Sequence, residues 1–362
     1  MIGSELQGGT KRTEDSSGGG WLGLGECLLG WNQFWFSPAR TESLGLIRMV
    51  TGILIAFITF TYSFELLSYV GPNGFVDVET INYIRQDSPI LVQPASWKGL
   101  PYEVGKTVPL VSVYFHLSSP ALIWTFHLGF LACTLCMAVG WQSRFFTLLS
   151  WFGALCYVQR APSVLFGMDA MIMILLFYMA LAPSGMSFSL DRWLEKRRKK
   201  AAGDPHWNAP PEKLVSANFI LRLIQIHFCI IYFAAAGSKL LGSAWWNGTA
   251  LWGVMANYSF NPMNIPAYTA FLTFLAQHRL LWEVTMTAGC IFTLFIESSF
   301  SFLVWNRKMK WFMIGCAVLF HTGIGLIMGL VTFSLCMLTF LIAFIPSETI
   351  ASVWGEKEKA LE

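Results

Sequence analysis

The stretch from Trp311 to Ser347 contains no Asp, Glu, Lys or Arg. As one continuous helix at about 1.5 Å per residue it would measure roughly 55 Å, whereas the hydrocarbon core of a bilayer is about 30 Å thick. The stretch is therefore too long for one membrane span and about right for two short ones. Similar apolar runs recur along the chain. The sequence therefore predicts an all-α, polytopic membrane protein.

The composition favours the same class. Of the 362 residues, 55% are hydrophobic and only 12% are charged, which is about half the charged fraction of a typical soluble domain. The 16 Trp and 30 Phe suit aromatic belts at two membrane interfaces. No basic stripe with interleaved aromatics indicates nucleic acid as a partner. The eight cysteines lie mostly in apolar runs, so we expect neither a metal site nor a disulfide framework.

The apolar runs predict about eight transmembrane helices (seven to nine) in one bundle. We expect them at residues 44–67, 119–140, 144–159, 164–183, 218–240, 281–304, 311–328 and 331–346. Residues 1–39 are predicted to be a disordered tail with an interfacial aromatic segment, because they are Gly- and Ser-rich and then aromatic. Residues 40–346 would form the membrane domain, and residues 347–362 a short polar tail.

Basic residues set the predicted orientation. Arg144 follows the second span, the run Lys196–Lys200 follows the fourth, and Arg307–Lys310 follows the sixth. These are alternate connections, as the positive-inside rule requires, so the N-terminus is predicted to be cytoplasmic. Two longer loops, residues 68–118 and 241–280, would then lie on the opposite side. We expect a multi-pass protein of a bacterial inner membrane.

Lys239 ends the fifth predicted span. Tyr232, Ala235, Ala236 and Lys239 are spaced i, i+3, i+4 and i+7, so they share one helix face. The small residues allow another helix to approach closely, and a lysine held against such a face loses hydration and becomes a candidate base. The alternative is a lysine that extends from the helix end to the outer interface. The spacing leaves both interpretations open.

Three charged residues are predicted at the same outer level. Arg160 ends the third span, Asp169 opens the fourth, and Lys239 ends the fifth. We expect them to form one ion-paired cluster beneath the outer loops. Asp169 also stands where an acidic side chain favours a helix N-terminus, which is a purely structural role. Spacing alone does not decide between catalysis and structure.

His321 and Glu297 are predicted deep in the seventh and sixth spans. At that depth Glu297 must be protonated, paired or near water, and His321 needs a hydrogen-bond partner. A histidine there either makes a hydrogen bond between helices or serves a proton or a polar ligand group, and both roles stay open. The sequence contains no Walker loop, dinucleotide fingerprint, HExxH motif or nucleophile elbow.

Several short blocks, in order along the chain, carry a family resemblance. They are Gly71–Phe75, Gly140–Arg144 with Arg160–Pro162 and Gly167–Asp169, Leu181–Gly185 with Ser189–Asp191, and Ile231–Ala250 with His321 and Met328–Ser334. Together they resemble the HTTM (horizontally transferred transmembrane) domain, the membrane part of the vitamin K-dependent gamma-carboxylase superfamily. The resemblance extends over roughly residues 40–346. It implies a helical membrane domain with a cavity for an apolar ligand.

The resemblance also implies a candidate site. In the carboxylases, a membrane-embedded lysine in an Ala-Gly-x-Lys-Lys type segment deprotonates reduced vitamin K. Here the corresponding segment has one lysine, Lys239, followed by Leu240. The family carries a histidine beside its short third outer turn, where this chain has Pro162, and the sequence ends at Glu362 without the large lumenal domain. We therefore expect no full glutamyl carboxylase activity.

The leading expectation is an HTTM-type membrane protein with an outward-facing intramembrane cavity for a quinone or another lipid-like molecule. Redox or proton-transfer chemistry would centre on Lys239 as the catalytic residue, and the supporting residues would be Arg160, Asp169, Tyr232, His321 and Glu297. The expected partners are the lipid bilayer and an apolar small molecule. The alternative is a non-enzymatic membrane scaffold, transporter or lipid-binding subunit. Convergence of Lys239, Asp169 and His321 on one cavity would favour the first, and separate helix contacts the second.

Overall fold

The computed structural model describes residues 23–77, 80, 112–161, 164–259 and 265–353. Within these ranges the chain forms helices and turns, and its one β-type pairing is an isolated bridge between Ala39 and Leu214. The predicted N-terminal tail up to residue 22, most of the first outer loop, Pro162 and residues 354–362 lie outside the described residues. The all-α expectation is confirmed for the described part of the chain.

Each of the eight predicted spans coincides with a helix. The described helices are α1 (Leu24–Phe36), α2 (Glu42–Tyr62), α3 (Leu66–Val70), α4 (Pro120–Val139), α5 (Ser143–Arg160), α6 (Gly167–Leu181), α7 (Leu190–Ala201), α8 (Val215–Leu240), α9 (Ser243–Trp246), α10 (Ala250–Met255), α11 (Pro266–Gln277), α12 (Arg279–Leu303), α13 (Lys310–Ile327), α14 (Val331–Leu341) and α15 (Ser347–Val353). The predicted spans are α2, α4, α5, α6, α8, α12, α13 and α14.

Fewer than eight of these helices are long and apolar enough to cross a membrane. Five stretches of the described chain pass: Glu42–Val70, α4, α8, α12 and α13. A sixth is obtained if the pair Val331–Phe344 and Ser347–Val353, bent by 104° at its break, is one span. Helix α6 has 15 residues and is shorter than a full crossing. The predicted count of eight is therefore not confirmed, whereas several spans establish a multi-pass helical membrane protein.

Helix α14 lies between two groups of helices. On one side α2 packs against α4, α4 against α5, and α5 against α6; on the other, α8 packs against α12 and α12 against α13. Helix α14 contacts α2 and α6 of the first group and α8 and α13 of the second. Its core residues Cys336 and Phe340 have no exposed surface. An uncharged helix suits this central place because apolar neighbours cover most of its surface, while Leu335 faces outward and is 45% exposed.

Small residues bring α2 and α4 into close contact. A Cβ atom added at Gly52 would lie 2.7 Å from backbone atoms of Ala138, so only glycine fits there. Helix association in a membrane depends on such close packing, because lipid gives no hydrophobic drive between apolar helices. Gly52 therefore fixes the separation of the two helices that form one wall of the cleft described below.

Arg48 joins three segments at the predicted inner end of α2. Its side chain is fully buried. The guanidinium donates to the carbonyl oxygens of Met137 (2.6 Å), Ala138 (3.2 Å), Ser184 (3.3 Å) and Phe188 (2.6 Å). These carbonyls belong to the end of α4 and the turn before α7. One cation thus binds carbonyl groups from both segments and holds them together.

Asp191 makes a second clamp at the same turns. Its carboxylate accepts from the backbone N–H of Gln142 and Ser143 and from Ser143 Oγ, each at 2.8 Å. Gly140, between these segments, has φ +73°, a conformation that favours glycine. Two of the blocks that carry the family resemblance, Gly140–Arg144 and Ser189–Asp191, are therefore bound to each other and have a structural role in this chain.

The ends of the described chain also pack on the bundle. Helix α1 contains most of the predicted aromatic segment and packs against α8, where the Arg222 guanidinium lies 4.4 Å from the Phe34 ring centroid. Residues 347–353 of the predicted polar tail form α15, which contacts α2. Ser347 Oγ lies 2.8 Å from Ser43 Oγ. The C-terminal segment is thus part of the fold up to residue 353.

Candidate functional site

Lys239 forms an ion pair with Glu297. Side chains on a helix tilt toward its N-terminus, so a lysine at the C-terminal end of α8 turns back into the bundle. Its Nζ lies 2.8 Å from both carboxylate oxygens of Glu297 on α12. The Glu297 side chain is 6% exposed and that of Lys239 is 24% exposed. Glu297 thus has the partner that an acid at membrane depth requires, and Lys239 does not extend outward.

Tyr232 and His321 form a second contact, between α8 and α13. The Tyr232 hydroxyl lies 2.6 Å from His321 Nε2, and both residues are almost fully buried. The His321 ring is surrounded by aromatic rings, including those of Phe228, Phe320 and Phe333. Its Nδ1 is buried without a hydrogen-bond partner. The geometry matches the structural alternative for His321, a hydrogen bond between helices.

Arg160 secures the outer loop rather than an acidic partner in the bundle. Its side chain is fully buried. Its guanidinium donates to the carbonyl of Val76 at 3.0 Å and to that of Gly71. Gly71 opens the Gly71–Phe75 block of the family resemblance, so Arg160 holds this turn against the end of α5.

Asp169 lies at the first turn of α6, where its Oδ2 accepts from the backbone N–H of Phe166 at 2.9 Å. The side chain is half-buried. This is the helix-capping role that the sequence left open, and the positive end of the helix dipole favours the carboxylate there. The expected cluster of Arg160, Asp169 and Lys239 is wrong for the described chain, since Lys239 pairs with Glu297 and the other two bind backbone groups.

A cleft lies among α2, α4, α5 and α6, and Asp169 is part of its wall. It is a narrow cleft with a cavity volume of about 50 Å³, smaller than the roughly 300–1,000 Å³ of typical small-molecule sites. Four aromatic rings follow one another along it, with centroid separations of 5.3 Å from Tyr69 to Tyr62, 5.3 Å to Tyr157 and 5.5 Å to Phe130. We call it the Asp169 cleft.

A chain of hydrogen bonds fixes one ring of this cleft. His127 on α4 is fully buried, its Nδ1 bonds to the Tyr157 hydroxyl, and its Nε2 lies 2.8 Å from Ser63 Oγ. Both ring nitrogens are thus satisfied. No motif or spacing marks His127 as a site residue, although a histidine within an apolar span already indicates a buried partner. The partners lie on α5 and at the end of α2, so no spacing along one helix indicates them.

The predicted site residues occupy two separate regions. Asp169 lines the cleft on the α2–α6 side, whereas Lys239, Glu297, Tyr232 and His321 lie among α8, α12 and α13. The convergence expected of a catalytic centre at Lys239 is therefore not found in the described chain. The catalytic role of Lys239 stays a prediction. Nor does any group of three His, Cys, Asp or Glu in the described ranges have the arrangement to hold a metal ion.

A second hollow lies beside the Lys239 region. It has a cavity volume of about 280 Å³ between α10, α12 and α13, and its wall is apolar except for Thr293. Its residues include Phe320, next to His321, and Gly289. With almost no polar group to orient a ligand, this groove resembles a lipid-facing surface more than a specific site.

Comparison with known proteins gives one distant similarity to report. The sporulation-delaying protein SdpB of Bacillus subtilis (strain 168) is 26% identical over 216 residues, which cover 58% of this chain and 60% of SdpB. The match thus spans less than two thirds of the length of this curated relative. No family model matches the chain, and no solved structure matches it. The chain is a multi-pass helical membrane protein with distant similarity to SdpB.

Proposed function

We propose that this chain is an HTTM-type membrane protein that binds an apolar, lipid-like molecule, with a quinone as one candidate, in the Asp169 cleft. The observation that carries the proposal is the cleft itself, which combines apolar walls, an aromatic row and one carboxylate. Pockets with mostly apolar walls and a few placed polar groups are the usual form of small-molecule sites. Asp169 and Tyr62 lie at helix ends on the predicted outer side, so the cleft would open outward.

Ligand binding is thus assigned to the Asp169 cleft, and catalysis by Lys239 stays a prediction. A general base needs a free lone pair within reach of the proton that it removes. The Nζ of Lys239 instead donates to Glu297, and the residue does not line the Asp169 cleft. The separation of the two regions supports the non-enzymatic alternative, a lipid-binding or transport subunit. The similarity to SdpB supports a shared membrane fold, and the sporulation delay in its name is said of SdpB alone.

The test asks which small molecules co-purify with the wild type and with two variants, each of which fills one of the two cavities with a phenylalanine. The wild-type chain is purified in mild detergent, and bound small molecules are identified by mass spectrometry, before and after addition of decylubiquinone or decanol. Ala154→Phe fills the Asp169 cleft, whereas Gly323→Phe projects into the second groove, where an added Cβ meets no atom within 4 Å. We expect Ala154→Phe to lose the ligand and Gly323→Phe to keep it.

The opposite pattern would assign the ligand to the groove and overturn the proposal. Failure of the wild type to retain either an endogenous molecule or an added probe would also overturn it and leave the scaffold alternative. Circular dichroism of each variant establishes that the helices are intact.

A further inference from the structure

No basic side chain lines the Asp169 cleft in the described chain, so the Asp169 carboxylate is stabilised there by the N-terminus of α6 alone. Among the described side chains that line the cleft, Asp169 is the only one with a formal charge. Its Oδ2 accepts from the backbone N–H of Phe166 at 2.9 Å, and the side chain is half-buried. The neighbouring Arg160 lines a smaller adjoining cavity, and its guanidinium is bound to the carbonyls of Gly71 and Val76. An opposite charge close to a half-buried carboxylate stabilises its ionised form further.

The aromatic row supplies a second attraction for positive charge. Aromatic faces carry negative electrostatic potential and attract cations within about 6 Å of the ring centroid. Tyr69, Tyr62, Tyr157 and Phe130 form a continuous row of such rings in the cleft wall. The Tyr157 hydroxyl is held by the buried His127, so this ring is fixed in the absence of a ligand. A site prepared in this way loses little conformational freedom when it binds.

The rest of the cleft suits an apolar chain. Its wall includes Ile55, Ile58, Ile172 and Met173, from α2 and α6. An anionic head group would meet the Asp169 carboxylate as a like charge, and a neutral head group would leave that carboxylate without a counter-ion. A cationic head group offsets the charge and also gains the cation–π attraction of the aromatic row.

We propose that the ligand of the Asp169 cleft carries its polar end as an organic cation, an amine or a quaternary ammonium group, on an apolar chain. This inference rests on the proposed function, which is that the cleft binds a lipid-like molecule. The ammonium group lies between the Asp169 carboxylate and the aromatic row, and the chain extends along the isoleucine side.

The experiment compares three probes that share a ten-carbon chain: decyltrimethylammonium, decanol and decyl sulfate. The protein is held in nanodiscs of zwitterionic phosphatidylcholine, and each probe is titrated below its micelle concentration, with empty nanodiscs as the blank. Intrinsic fluorescence reports binding. We expect the cation to bind at least about ten-fold more tightly than the alcohol, and the sulfate to bind most weakly.

Variants at Asp169 and Tyr62 test whether these residues cause the preference for the cationic probe. Asp169→Asn keeps a carbonyl oxygen that can accept from Phe166 and so preserves the helix cap, while it removes the charge; we expect the preference for the cation to disappear. Tyr62→Leu should weaken binding of decyltrimethylammonium about ten-fold, whereas Tyr62→Phe, which keeps the ring, should leave its affinity unchanged. Glu283→Gln, an exposed acid on α12, is the control and should bind like the wild type.

The outcomes separate the two proposals. If the three probes bind equally well and all are lost in Ala154→Phe, the cleft binds apolar molecules and the inference of a cationic head group is wrong. If no probe binds the wild type, the proposed function itself fails. An undiminished cation preference in Asp169→Asn, or equal effects of Tyr62→Leu and Tyr62→Phe, would also overturn the inference.

Discussion

The Lys239–Glu297 pair predicts a measurable stability difference between single and double substitutions. Lys239→Met leaves the Glu297 carboxylate, 6% exposed, without its partner. Removing one partner of a buried pair typically costs about 3–5 kcal/mol. Because Lys239 is 24% exposed and water reaches the pair from that side, we expect a value at the lower end, about 3 kcal/mol. With typical unfolding entropies for a chain of this length, Tm should fall by about 4 °C.

Glu297→Gln should cost less, about 1–2 kcal/mol, because the freed ammonium can reach water. The double variant Lys239→Met/Glu297→Met should return to within about 1 kcal/mol of the wild type, since two apolar side chains replace the pair without leaving a charge. The two substitutions are thus expected to be strongly non-additive.

Thermal unfolding in detergent, followed by circular dichroism, measures the four proteins of this cycle. A Lys239→Met protein as stable as the wild type would refute the reasoning, and so would a double variant that is no more stable than Lys239→Met. If Lys239→Met instead abolishes ligand turnover while the double variant restores stability without turnover, Lys239 has the chemical role that the family resemblance implies.

Three further predictions follow from the rest of the structure. Single cysteines introduced as Ala201→Cys and Asn247→Cys, in a background without other reactive thiols, should label from opposite sides of the membrane; labelling of both by an impermeant reagent on intact cells would contradict the predicted topology. Arg48→Lys should lower stability by about 3 kcal/mol, because an ammonium cannot satisfy the carbonyls that the buried guanidinium binds, and unchanged thermal unfolding would refute this. Hydrogen bonds from Lys199 and Arg192 lower the pKa of Glu195 below its usual value of 4.5. A lowered folded-state pKa stabilises α7 above about pH 4.5 and loses that effect as the pH falls further, so any advantage of the wild type over Glu195→Gln in thermal unfolding should vanish in acid.

Several residues that carry the family resemblance have a structural role in this chain. The Gly140–Arg144 and Ser189–Asp191 blocks form a turn clamped by Asp191, and Gly71 is held by Arg160. These interactions explain such residue types by folding alone, whatever the chain binds. Blocks of this kind therefore support a shared membrane fold more strongly than a shared reaction.

The sequence by itself determined the helices. Apolar runs, their lengths and their charged ends predict where α2, α4, α8, α12 and α13 begin and end, because within lipid every backbone group must be bonded inside its own segment. The same local reasoning placed Asp169 at a helix N-terminus and Glu297 at membrane depth, but it left open which groups would bind them. All of these features depend on residues close in sequence or on the membrane as solvent.

The tertiary structure alone decided which ionisable groups meet. Lys239 could reach acids on any neighbouring helix, and the packing of α8 on α12 selected Glu297. The Asp169 cleft needs Tyr62, Tyr157 and Phe130, which come from three helices, so no periodicity along one segment predicts it. Helix order and rotation in a membrane depend on close steric fit, as at Gly52 against Ala138. Such fit is a property of pairs of surfaces, and a single sequence read segment by segment does not contain it.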